Sequence, residues 1–166
     1  MKRLICILLA LLAVLSLAGC QNEKVPQSTV TVYYRAASVS YGSSDGVLSP
    51  YQLDATGHED DPIHLLNAYL SMTPPSEYSR TFPSNTHLVS LNLDGLTAKV
   101  VLSNNFASLK GLNLSIACAS LTRTVISLTG CHEVIISAED AQLDGKNFIT
   151  LSHDSYLLLD DIVDKD

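Results

Sequence analysis

Hydrophobic and polar positions alternate at both ends of the chain and recur with a helical period in between. From Thr29 to Arg35, Val30, Val32 and Tyr34 fall on one face and Thr31, Tyr33 and Arg35 on the other, which predicts a first strand. Gly42 to Gly46 is turn-rich, and Val47 to Ala55 returns as a second strand whose Pro50 assigns it to an edge. Asp60 and Asp61 stand before Pro62, and Ile63, Leu66, Tyr69 and Leu70 follow at helical spacing. Those residues predict a helix with an acidic N-cap and proline in its first turn, stopped by Thr73-Pro74-Pro75. His87 to Leu102 reads as a hairpin centred on Asp94-Gly95, a pair suited to a type I′ turn. That centre places Leu93 opposite Leu96, Leu91 opposite Ala98 and Val89 opposite Val100 on one apolar face, with Ser90, Asn92, Thr97 and Lys99 on the other. Leu114, Cys118, Leu121, Val125 and Leu128 predict a second helix over 111–129, capped by Gly130. Val134, Ile136 and Ala138 form a closing strand.

The order ββαββαβ, with one apolar stripe on each helix and one apolar face on the hairpin, specifies an α+β fold. Two helices are expected on one face of a mixed, mainly antiparallel sheet. Phe148 to Leu151 and Tyr156 to Leu159 are candidate short strands in an extension over 141–166 that ends in Asp160, Asp161, Asp164 and Asp166.

The amino terminus follows a different rule. Lys2 and Arg3 precede an apolar run, Leu4 to Ala18, which makes residues 1–19 a secretion signal. Its apolar run gives only about 25 Å of helix, short of the roughly 30 Å of hydrocarbon that a permanent span must cross. Leu17-Ala18-Gly19-Cys20 resembles the lipobox of bacterial lipoproteins, in which the cysteine thiol takes a diacylglycerol and becomes the first residue of the mature chain. The resemblance implies a lipid on Cys20, an address on the outer face of the cell membrane, and a linker over 20–28. Several acyl chains on one residue anchor stably where a single chain does not.

Of the 166 residues, 10 are Lys or Arg and 17 Asp or Glu, a net charge of −7. Loss of Lys2 and Arg3 makes the exported body more acidic still. This excludes nucleic acid as a partner, since phosphate binding draws on clustered cations, and it repels wall polymers that carry phosphate. The two cysteines left after processing, Cys118 and Cys131, are expected to be unpaired: a helix from 118 to about 129 holds their α-carbons about 15 Å or more apart, beyond the reach of a disulfide.

Three segments are similar to the GerMN domain of sporulation and spore germination proteins: Leu65-Leu66-Asn67-Ala68-Tyr69-Leu70, Thr81-Phe82-Pro83-Ser84-Asn85-Thr86, and the hairpin running through Asp94-Gly95 to Val101-Leu102-Ser103-Asn104-Asn105-Phe106. His132 to Ser137 continues the likeness, which covers residues 29–140. The portion 62–138 also resembles the ring-building modules of sporulation secretion assemblies. The family commonly closes with a valine-aspartate-glycine turn, where this chain has Ala138-Glu139-Asp140. The resemblance implies a lipoprotein that works by association and brings no active site with it.

The residues themselves agree with that expectation. His58, Glu59, Asp60, Asp61 and His64 are dense, but their spacing matches none of the recognised zinc or calcium patterns, and a helix start accounts for the aspartates. Ser152-His153-Asp154 has the residue types of a triad, but neighbours in extended chain point to opposite faces. His132 and Glu133 read as groups that close the second helix. Neither a metal nor a cofactor is expected, nor a catalytic residue. For a sugar platform there is no Trp, and Tyr33 is the best-placed Tyr. The expected partners are the membrane, through Cys20, and a protein or further copies of the chain; the alternative is a peptidoglycan-binding module that positions a wall enzyme.

Overall fold

The structure is a computed structural model that describes residues 28–38 and 46–153. The signal, Cys20, the linker, most of the glycine-serine loop, the strand expected at Tyr156 to Leu159 and the acidic end lie outside the described residues. The elements are β1 (Thr29–Ala36), β2 (Leu48–Asp54), α1 (Pro62–Ser71), β3 (Tyr78–Ser79), β4 (Leu88–Asp94), β5 (Thr97–Leu102), a 3-10 turn (Asn104–Ser108), α2 (Gly111–Thr129), β6 (Glu133–Ala138) and β7 (Ile149–Ser152). The expected α+β order is present, with the short β3 added and β7 standing where Phe148 to Leu151 was expected.

The strands form two sheets, of order β2-β1-β3 and β4-β5-β6-β7, rather than one. The cause lies at Tyr33 in the middle of β1. Its backbone N–H donates to Thr124 Oγ1 of α2 at 3.0 Å, and its carbonyl accepts from the Tyr69 hydroxyl of α1 at 2.6 Å. Ser120 Oγ of α2 donates to the same carbonyl at 2.5 Å. Helix hydroxyls thus occupy the edge of β1 that another strand would need. Tyr33 faces Pro50 in the β1–β2 register. Because Tyr33 directs its backbone groups to the helices, this is a non-hydrogen-bonded pair, and the missing N–H of Pro50 falls on the outer edge of β2, as its sequence position requires.

α1 begins as the sequence predicts. Asp61 accepts from the His64 N–H at 2.9 Å, Pro62 occupies the first turn, and Leu65, Leu66, Tyr69 and Leu70 are buried. α2 is buried on more than its expected stripe, because it lies against both sheets. Leu114, Cys118, Leu121 and Val125 enter the main core with Val32, Val100, Val134 and Ile136, while Ile116 and Ala119 meet Leu48 in a second cluster. By length and composition α2 could cross a membrane, but 56% of that window is buried inside the fold. Gly130 ends it at φ 69° and donates to the Ile126 carbonyl at 2.9 Å, a left-handed cap. The crossover makes β6 parallel to β5, and β7 returns antiparallel to β6. Cys118 and Cys131 are free and buried.

The hairpin departs from its expected register. Leu93 pairs with Ala98, Leu91 with Val100 and Asp94 with Thr97, so Gly95 and Leu96 are the central turn residues. Gly95 has φ 60° and Leu96 is not left-handed. Glycine at the first central position defines a type II′ turn instead of type I′. The pairing slips between Leu88 and Ser90, a bulge that turns Val89 out of the apolar face and lets Leu88 take its place.

Candidate functional site

Among the described residues β4 pairs with β5 alone, and its other backbone groups face outward along the rim of the four-stranded sheet, where Asn67 Oδ1 of α1 accepts from the Leu88 N–H at 3.3 Å. From Val89 to Asp94 every residue except Leu91 is exposed. Val89 is 41% exposed, Leu93 48% and the turn residue Leu96 59%, a concentration of apolar surface on one hairpin. Leu93 lies on the same face as Leu91 but beyond the cover of the helices. Among the described residues this edge is guarded by a bulge, by the Asn67 side chain on the Leu88 N–H, and by a solvent-exposed ion pair between Lys99 and Asp94 at 3.2 Å. Such an edge can accept a further strand, with the apolar side chains supplying contact area.

Beside it, the segment from Arg80 to His87 and the end of α1 border an open cleft of about 440 Å³. The residues that carried the GerMN resemblance here have structural duties. Thr81 Oγ1 accepts from the Arg35 N–H at 3.1 Å, Phe82 packs edge-on against Tyr69, and Asn85 adopts φ 64° at the turn. Ser103 Oγ binds the segment twice, through the His87 N–H and the Asn85 carbonyl. The Thr86 hydroxyl is buried in the cleft wall without a hydrogen-bond partner among the described residues.

The remaining sequence candidates separate clearly. His58, Asp61 and His64 come together at the start of α1, all exposed, with their possible ligand atoms within 4.8 Å of one another. The two imidazoles stack with centroids 3.6 Å apart and planes within 9°. Glu59 turns away to accept from the Gly57 N–H at 3.1 Å, and hydrogen bonds from backbone N–H groups hold its carboxyl below the usual range. The spacing alone did not reveal the trio, because the grouping depends on successive turns before the helix. The backbone N–H groups of His132 and Glu133 both reach the Leu96 carbonyl, at 2.8 and 3.2 Å, so these residues fasten α2 to the hairpin tip. Ser152 and His153 border a shallow pocket with Cys131 and His132, and Asp154 lies outside the described residues. The Tyr33 ring carries the Arg123 guanidinium 5.4 Å from its centroid, which covers a face that a sugar would stack on. The exposed β4 edge was missed in the sequence because Val89 and Leu93 sit in a pattern that reads as core.

Fold and surface together define a small α+β module in which β4 is a terminal strand with apolar residues exposed along it. The family model for sporulation and spore germination proteins, Germane, matches residues 31–144, and the chain belongs to that family. Among solved structures it is similar to the first GerMN domain of the sporulation protein GerM from Bacillus subtilis, with 15% identity and a TM-score of 0.55 over 72% of this chain and 91% of that one. It is similar as well to the tandem GerMN domains of the same protein, with 15% identity, a TM-score of 0.55 and 78% of this chain covered. It spans only 45% of that tandem chain. A search of the curated proteins finds no match. The chain carries a GerMN domain and is a sporulation-related module.

Proposed function

We propose that the protein is a lipid-anchored, extracytoplasmic GerMN module that acts in sporulation, germination or envelope assembly by binding another protein, without catalysing a reaction. The observation that carries this reading is the outer edge of β4 beyond Leu88, whose own N–H is taken by Asn67, beside the half-exposed Val89, Leu93 and Leu96. Cys20 holds the module to the outer face of the membrane, and the linker after it lets the edge reach a partner. The membrane supplies the address and the edge supplies the recognition.

The experiment uses the full chain in sporulating cells, with a photocrosslinking residue at Leu93 and, as a control, at the exposed Asn147. A discrete adduct from position 93 that is absent from position 147, and is lost in Val89→Lys, supports the reading. Monomer alone from both positions overturns it. Labelling with a radioactive fatty acid tests the anchor: label is expected on the wild type and absent from Cys20→Ala, which should leave the membrane fraction. Sedimentation with purified cell wall that survives high salt and ignores Val89→Lys would replace the protein partner with peptidoglycan.

A further inference from the structure

We propose that His58, Asp61 and His64 form a surface site for a first-row divalent metal of the zinc class. The backbone builds it in three steps. The His58 N–H donates to the Ala55 carbonyl at 2.8 Å, and the Asp61 N–H to the His58 carbonyl at 3.0 Å, two successive three-residue turns. The His64 N–H then donates to Asp61 Oδ1 at 2.9 Å as the helix begins. A period of three residues per turn eclipses side chains three apart. Residues 58, 61 and 64 therefore share one side, although no standard ligand spacing joins them.

The donor chemistry fits a borderline cation. Two imidazoles and one carboxylate are the ligands that Zn²⁺ takes in three-ligand sites that keep a position open. Neighbouring donors on a tetrahedral ion stand about 3.3 Å apart at bond lengths of about 2.0 to 2.2 Å. In the described structure the candidate atoms all lie within 4.8 Å, and the stacked rings are 3.6 Å apart. Parallel rings do not aim at a common point, so each must turn about its χ2. Both are exposed, and that torsion is soft. Asp61 is already oriented: one carboxylate oxygen caps the helix, which leaves the other to face the ion while the backbone holds the group in place. Glu59 and Asp60 add negative charge nearby. Selectivity would follow availability and geometry, since Cu²⁺ and Ni²⁺ also favour imidazole.

The test titrates Zn²⁺ into the untagged full chain in detergent by calorimetry, with Co²⁺ substitution read by visible absorption. Saturable binding of one ion is expected, with a rise in melting temperature that grows with free metal. His58→Gln and His64→Gln should each weaken it by about tenfold or more. Asp61→Asn keeps a competent cap and should also weaken it. His132→Gln should bind as the wild type does. Absence of saturation below about 100 µM Zn²⁺, or binding unchanged in the double variant His58→Gln/His64→Gln, overturns the site.

Discussion

The Tyr69 hydroxyl of α1 lies 2.6 Å from the Tyr33 carbonyl of β1 and 2.7 Å from Ser120 Oγ of α2. One buried junction thereby ties the first strand to both helices. The Tyr34 hydroxyl reinforces it by donating to the Tyr69 carbonyl at 3.0 Å. A polar group left unsatisfied here would lie in the main core, where Tyr69 and Ser120 are wholly buried.

Tyr69→Phe should therefore cost about 1–2 kcal/mol of stability, and Ser120→Ala a similar amount. Each change leaves the other hydroxyl donating to the Tyr33 carbonyl, so the double variant should lose more than the sum of the two. The measurement is a double-mutant cycle by urea denaturation, with a coupling of about 0.5 kcal/mol or more expected. Strict additivity would mean that the two hydroxyls act independently.

The hairpin turn gives a second expectation. Gly95 has φ 60°, and a Cβ placed there would meet nothing within 4 Å. Gly95→Ala should cost about 1 kcal/mol through the left-handed backbone alone. Asp94→Ala should cost much less, because Asp94 does not occupy a left-handed position. A type I′ turn over Asp94-Gly95 would place both residues at positive φ and make Asp94→Ala costly as well, so denaturation midpoints of the two variants separate the registers.

That register shows how far a pattern of residues reaches. The observed pairing differs from the expected one by two positions, and a slip of two keeps every side chain on its own face. Alternation could therefore identify the hairpin and its apolar face at Leu91, Ala98 and Val100, but not the turn. The bulge at Val89 had no local signal, and it is what exposes that residue on the candidate surface. The helix start at Asp61-Pro62 was legible because cap and proline act within one turn. The division into two sheets was not, since it depends on Tyr33 meeting Thr124 and Ser120, 91 and 87 residues away. The stretch from His58 to His64 stood out as dense, but that His58, Asp61 and His64 are the three that converge depends on two turns that no periodicity announces.

Burial makes Cys118 a reporter of alkaline stability. It raises the thiol from 9.0 to about 12 in the folded chain, so the unfolded thiol ionises first. Its contribution to stability is fully present below pH 9 and is lost as the pH climbs from there towards about 12. Burial moves Tyr34 and Tyr69 in the same direction, and they extend the loss above pH 10. Urea midpoints should fall with pH across this range, and less steeply in Cys118→Ala. At about pH 8.5 a thiol reagent should modify position 118 only in denatured protein; fast labelling of the native chain would contradict the burial.

Two threonines on α2, two residues apart, should respond oppositely to the same change. Thr122 and Thr124 are both fully buried. Thr124 Oγ1 accepts from the Tyr33 N–H, whereas Thr122 Oγ1 has no hydrogen-bond partner among the described residues. Valine has nearly the shape of threonine, so the substitution removes a hydroxyl with little change in packing. At position 124 it strands a strand-edge N–H in the interior and should cost about 1–3 kcal/mol. At position 122 it removes a desolvated hydroxyl that gains nothing in return, and should leave stability unchanged or raise it by about 1 kcal/mol. Helix propensity cannot produce this contrast, since both changes are Thr to Val in the interior of one helix. Denaturation midpoints for Thr122→Val and Thr124→Val, read at equal m-values, decide it: a loss at both positions would assign Thr122 a hydrogen bond, and a loss at neither would remove Thr124 from the junction that holds β1 against the helices.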